Sequence, residues 1–197
     1  MASVASIVAE FRAQTFALES LHAGAVGLSP IHRKMVAELS LVRLAVGLEN
    51  ALSTGFYRVG AGRPFADGSA ATILHPPSQP RTAEARMKHG RGKITWLNAS
   101  ELSDAIEAVV DPTDACHNRL RSHGSTLAQV RRIRNHIAHR NRNSSQQFQI
   151  VVQSIYGARL NNVTPGTLLL TPRGGPTPLI RRLIIGSRTA VTEVFRG

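Results

Sequence analysis

Leu41-Val42-Arg43-Leu44-Ala45-Val46-Gly47-Leu48-Glu49 is the stretch on which the fold turns. Apolar side chains at Val36, Leu39, Leu41, Val42, Leu44, Val46, Leu48 and Leu52 cover most of a helical circumference. Their spacings of three and four belong to a helix and not to the alternation of a strand. Upstream, Ser29-Pro30 supplies an N-cap and a first-turn proline, so the helix is expected from Ile31 to about Val59. At 1.5 Å per residue it would run for roughly 43 Å. A rod apolar on most sides is expected at the centre of a bundle. Glu49 is then an acid on a largely buried helix, where pairing with an arginine or a role at a site are the two readings.

Working outward, Val4, Ile7, Val8, Phe11, Leu18 and Leu21 form one stripe with Thr15, which predicts a helix over 3–22 stopped by Gly24 and Gly27. Residues 60–93 hold so many glycines and prolines that a flexible insert is expected. Its second half is basic (Arg81, Arg86, Lys88, His89, Arg91 and Lys93), suited either to solvent or to a bound polyanion. Asn98 with Glu101 resembles a capping box opening a helix through Val110, and Asp111-Pro112 breaks it. A segment over 113–123 follows, then Gly124 and Ser125 as C-cap and next N-cap. The apolar stripe Leu127, Val130, Ile133 and Ile137 predicts a helix ending near His139, with the polar run Arg140 to Ser145 as a loop.

Phe148, Val151, Val152, Ile155 and Tyr156 fit a helix better than a strand. Residues 161–178 are a Pro/Gly-rich excursion around Leu168 to Leu170, and a last helix is expected from about Pro178 to Phe195. The expected fold class is all-α, a single domain over 1–197.

The chain carries a formal net charge of +12 over 197 residues. Residues 1–114 hold eleven basic and eleven acidic side chains, whereas residues 115–192 hold twelve arginines and no acid. Such segregation points to an anionic partner. Arginine's planar fork suits phosphate, although only three of the 24 cations are lysines and genome composition can also produce that bias. A membrane-binding helix would set exposed aromatics against the cations, and Trp96 lies outside the basic stretch. No apolar run approaches the roughly 20 residues of a transmembrane helix, and Glu10 and Arg12 interrupt the amino-terminal region. A cytoplasmic protein with no membrane partner is expected. The lone Cys116 can form no internal disulfide.

The chemistry concentrates in Arg131-Arg132-Ile133-Arg134-Asn135-His136-Ile137-Ala138-His139-Arg140-Asn141-Arg142. Arg134, Asn135 and His139, with Ala138 before the histidine, resemble the Arg-Asn-x-x-x-His signature of HEPN-domain ribonucleases. The resemblance extends weakly to the Leu41–Glu49 stretch, which is similar to the second helix of bacterial branches found in toxin-antitoxin and phage-defence loci. It implies a HEPN-like bundle of four to five main helices and a symmetric homodimer. The implied activity is that of a metal-independent endoribonuclease without cofactor, with an antitoxin or defence-system partner. One subgroup carries Tyr two residues after the histidine; this chain has Asn141 there, so modification of that tyrosine does not apply.

Independently of the family, RNA cleavage without a metal needs a base for the 2′-hydroxyl, an acid for the leaving oxygen and a cation on the developing charge. Histidine serves either proton role near neutrality, and arginine holds phosphate oxygens. Asn135 and His139, four residues apart, share a helix face, so Asn135 is expected to orient the imidazole. Arg134 and His139 stand about 140° apart around a helix, so one copy alone makes a poor site. The resemblance, joined to this chemistry, implies Arg134, Asn135 and His139 as the catalytic residues. Arg131, Arg132, Arg140 and Arg142 are expected to bind RNA, and Glu49 to give support. His136 is expected at a surface or interface.

Three competing readings stand beside this one. A zinc site from His136 and His139 with Cys116, His117 or His123 is disfavoured, because the surrounding arginines repel a dication. A non-enzymatic nucleic-acid-binding module would use the seven arginines from Arg119 to Arg142 alone. The third is a degenerate HEPN-like scaffold that binds a partner. Nine aromatics without a cluster argue against stacking-based single-strand binders.

Overall fold

The helical punctuation is realised nearly throughout the computed structural model, which describes residues 2–90 and 92–197. Nine α-helices occur among the described residues: α1 (Val4–Gly24), α2 (Pro30–Val59), α3 (Pro80–Lys88), α4 (Ala99–Ile106), α5 (Ala115–Ser122), α6 (Gly124–His139), α7 (Arg142–Tyr156), α8 (Pro165–Leu170) and α9 (Leu179–Val194). A single antiparallel bridge, Ile73 with Val110, is the only sheet-like pairing described. The fold is all-α.

Helix α2 is the hub. Ser29 caps it by accepting from the His32 N–H at 3.5 Å, and Pro30 fills the first turn. It packs against α1, α3, α6, α8 and α9. Leu41, Leu44, Ala45, Leu48, Leu52 and Phe56 are wholly buried, so the predicted central rod is present. Its apolar circumference is nevertheless not all interior. Ile31, Met35, Leu39 and Val46 are exposed, at spacings that place them on one outward stripe.

Helix α1 is held by Ser3, whose side chain accepts from the Ser6 N–H, and by Glu19, which pairs with Arg188 at 2.7 Å and Arg181 at 3.6 Å on α9. The 60–93 segment differs from the expected flexible insert. It contains α3, and Ala61, Phe65, Ala83 and Met87 enter the core. Proline at the first turn of α3 starts a helix there instead of preventing one. Arg91, one of the cations placed in this segment, lies outside the described residues.

Four boundaries also shift. Helix α4 stops at Ile106, because Val110 is drawn into the bridge with Ile73 and the Leu74 N–H donates to the Val109 carbonyl. Gly124 is the first residue of α6 and not a C-cap; His123 holds the N-cap position, with Nε2 2.7 Å from Glu193. The polar run after His139 is a connection of only two residues, since α7 starts at Arg142. Finally, the 161–178 excursion folds its apolar run into α8, burying Leu168 and Leu169, with Glu38 accepting from the Gly166 N–H at 2.8 Å.

Candidate functional site

Helices α6 and α7 form an antiparallel hairpin joined by Arg140 and Asn141. Arg140 takes the left-handed conformation, φ 43° and ψ 28°, which ends α6 abruptly. Asn141 then caps α7, its Oδ1 accepting from the Ser144 N–H at 2.8 Å. Leu127, Val130 and Ile133 of α6 and Phe148, Val151 and Val152 of α7 enter the core, leaving polar side chains on the opposite faces.

Those polar faces enclose a cleft of about 320 Å³ lined by Arg131, Arg132, Asn135 and His139 from α6, Asn141 from the connection, and Asn143, Ser144 and Gln147 from α7. No carboxylate lines it. Asn135 and His139 meet there as their spacing predicts, and so do Arg131 and Arg132. His139 itself is exposed at the last turn of α6. Arg132 is held in place: its Nε donates to Gln147 Oε1 at 3.1 Å.

Arg134 lies outside the cleft lining and faces α2. Its Nη2 stands 3.7 Å from Glu49 Oε2, and its Nη1 donates to Asn135 Oδ1 at 3.0 Å. The arginine pairing expected for Glu49 is thus made, and with Arg134. The carbonyl oxygen of Asn135 receives Arg134 and not the His139 ring. Arg140 and Arg142 are exposed beside the connection.

His136 is half-buried on α6 and stacks on Phe148, with ring centroids 4.5 Å apart and planes at 15°. Burial foremost, then the nearby Arg140 charge, lower its pKa from 6.5, against a smaller opposing effect of Glu38. The imidazole is held neutral as part of the hairpin packing. His117 is buried with Nδ1 3.1 Å from Ser103 Oγ, and the Cys116 thiol is pushed far up by burial, so neither joins His136 and His139. Among the described residues no group of three His, Cys, Asp or Glu side chains converges as metal ligands would. No helix among them is long and apolar enough to cross a membrane.

The α7 residues of the cleft, Asn143, Ser144 and Gln147, were not among the sequence-based site residues. The available signal was Asn141 followed three residues later by Ser144, an N-cap pattern that shortens the loop and aims the first turn of α7 at His139. The chain matches no family model, no curated protein and no solved structure.

Proposed function

We propose that this chain is a HEPN-like, metal-independent endoribonuclease acting as a homodimer. The observation that carries the reading is the acid-free cleft in which Asn135 and His139 sit with Arg131 and Arg132, while Arg134 is tied to the same site through Asn135. Such a cleft attracts phosphate and sets a titratable imidazole beside it. One His139 takes the 2′-hydroxyl proton, and the 2′-oxygen attacks phosphorus. The 5′-oxygen leaves with a proton from the His139 of the second copy, giving a cyclic phosphate and a free 5′-hydroxyl. DNA lacks the internal nucleophile and resists.

The outward stripe of α2 supports the dimer. Ile31, Met35, Leu39 and Val46 lie exposed along one face, with half-buried Val42 among them. At about 100° per residue, Glu38 and Glu49 occupy the adjoining line of the helix. Glu49 meets Arg134, and Glu38 acts on His136. A second copy covering the stripe would therefore arrive at the edge of the α6 site and supply the second histidine. Following the family resemblance, the activity belongs to the toxin or effector of a bacterial toxin-antitoxin or antiphage system, restrained by an antitoxin or defence-system partner.

The test is incubation of the protein and its His139→Ala variant with total RNA, with and without EDTA, followed by end-group analysis. Cleavage by the wild type alone, indifferent to EDTA and leaving cyclic phosphate, is the expected result. Loss with EDTA would overturn the metal-independent chemistry. The exposed Arg140 and Arg142 favour a second reading, a non-catalytic RNA-binding scaffold, in which both proteins bind RNA equally and neither cuts.

A further inference from the structure

The hydrogen-bond inventory of the α6–α7 cleft is lopsided toward donors. Gln147 Oε1 is occupied by Arg132 Nε, and Asn135 Oδ1 by Arg134 Nη1. Asn141 Oδ1 is occupied by the Ser144 N–H, and the Ser144 hydroxyl donates to the Asn141 carbonyl. What remains for a ligand is the amide NH₂ of Asn135, of Asn141 and of Gln147, both terminal nitrogens of Arg132, the Arg131 guanidinium, the His139 imidazole and the two-sided amide of Asn143. An edge that presents adjacent acceptors matches this set, and guanine presents two, O6 and N7. Adenine sets a donor beside its N7, and cytosine offers an amino donor on the same side.

We infer that Arg132, positioned by Gln147, reads the O6/N7 edge of a guanine in the RNA strand at this cleft. The inference rests on the cleft being an RNA site, as proposed above. Three features carry it. Fixing Nε leaves both terminal nitrogens of Arg132 to approach one base edge in parallel, the geometry of bidentate guanine contacts. The cleft volume lies at the small end of the range for ligand pockets, which suits one nucleotide unit and not a duplex. In single-stranded RNA the base edges are open to such reading. Gln147 is a positioning residue here, and Asn143 completes the rim.

Binding is measured first, on the uncut complex, with His139→Ala and short single-stranded oligoribonucleotides that differ at one position as G, A, C or U, by fluorescence anisotropy. The guanine strand should bind about tenfold more tightly than the others, the discrimination of one good bidentate pair. Adding Gln147→Leu should reduce that ratio below about threefold, Gln147→Glu should restore it by holding Nε again, and Arg132→Lys should abolish it. Cleavage-site mapping with the wild type should then show guanine enriched at one fixed position. Equal affinity for all four strands overturns the inference whatever the cleavage result. An Arg132→Lys loss that is uniform across the four sequences also overturns it, by assigning Arg132 to phosphate. Guanine preference without any cleavage would keep this inference and remove the enzymatic reading.

Discussion

Arg134 bridges two helices: its Nη2 stands 3.7 Å from Glu49 Oε2 on α2, while its Nη1 donates to Asn135 at 3.0 Å on its own helix. The guanidinium is therefore shared between a structural acid and the cleft. Because the pair is half-exposed, breaking it costs roughly 0 to 1 kcal/mol of stability. The larger effect is electrostatic. Glu49→Gln leaves the Arg134 charge uncompensated beside the proposed RNA site, so affinity for single-stranded RNA should rise at low salt. The slope of log K against log salt should steepen by about 0.7, the value for one more neutralised phosphate. Anisotropy titrations between low and moderate salt check this, and an unchanged slope would show that Arg134 never reaches the strand.

The hairpin turn gives an opposite-signed pair of stability predictions. Arg140 occupies the left-handed region, where a side chain costs about 1–2 kcal/mol and glycine does not. Glycine's extra freedom in the unfolded chain offsets about 0.4–1 kcal/mol of the gain. Arg140→Gly should therefore stabilise the fold by up to about 1.5 kcal/mol, while removing one cation from the proposed RNA face. Asn141→Ala removes the α7 cap and should cost about 1 kcal/mol. Urea unfolding of the two variants should move the midpoint in opposite directions; a destabilised Arg140→Gly would contradict the assigned turn.

Two imidazoles set an acid limit on stability. Burial, with Arg33 and Arg181 nearby, lowers His22 from 6.5, and burial with Arg140 lowers His136. Both groups bind protons more readily when the chain is unfolded. Their contribution is fully present above about pH 6.5 and is lost as pH falls through the lower folded values. His136→Phe keeps the stack on Phe148 without a titrating group, and its Tm should fall less than that of the wild type between pH 7 and pH 5. Parallel Tm curves for the two proteins would contradict the shift at His136.

Element types were largely legible because their signals are local. Ser29-Pro30 and the spacings through Leu52 specify α2, and the Phe148 to Tyr156 pattern specifies α7. The segment over residues 60–93 was harder to read, since α3 is short and gains its order from burying Ala83 and Met87, which no window of sequence displays. At the site, spacing four put Asn135 and His139 in one cleft. It could not show that Arg134 turns to Glu49, because that contact joins residues far apart in the chain. The α7 half of the cleft was missed for a local reason: a polar run read as loop hides an N-cap when the capping residue, Asn141, follows a left-handed turn at Arg140.

The outward stripe of α2 supplies the last prediction. Eight of the large apolar side chains that remain exposed fall between Phe16 and Val46, on α1, the following turn and α2, with Ile31 at 71% and Met35 at 61% exposure. Of these, Ile31, Met35, Leu39 and Val46 share one face of α2, and an exposed apolar face is normally covered. With a formal net charge of +12, two copies repel at long range, so the proposed association must come from burying that face. Light scattering of the wild type should accordingly give the mass of a dimer at micromolar concentration. Leu39→Glu puts a carboxylate in the middle of the stripe and should yield a monomer with unchanged helical content, because Leu39 contributes nothing to the core. If the second His139 comes from the partner, the monomer should also lose cleavage while still binding RNA through Arg131 and Arg132. A monomeric Leu39→Glu variant that cuts at the wild-type rate would place base and acid in a single copy, and a wild type that is monomeric would remove the two-histidine mechanism altogether.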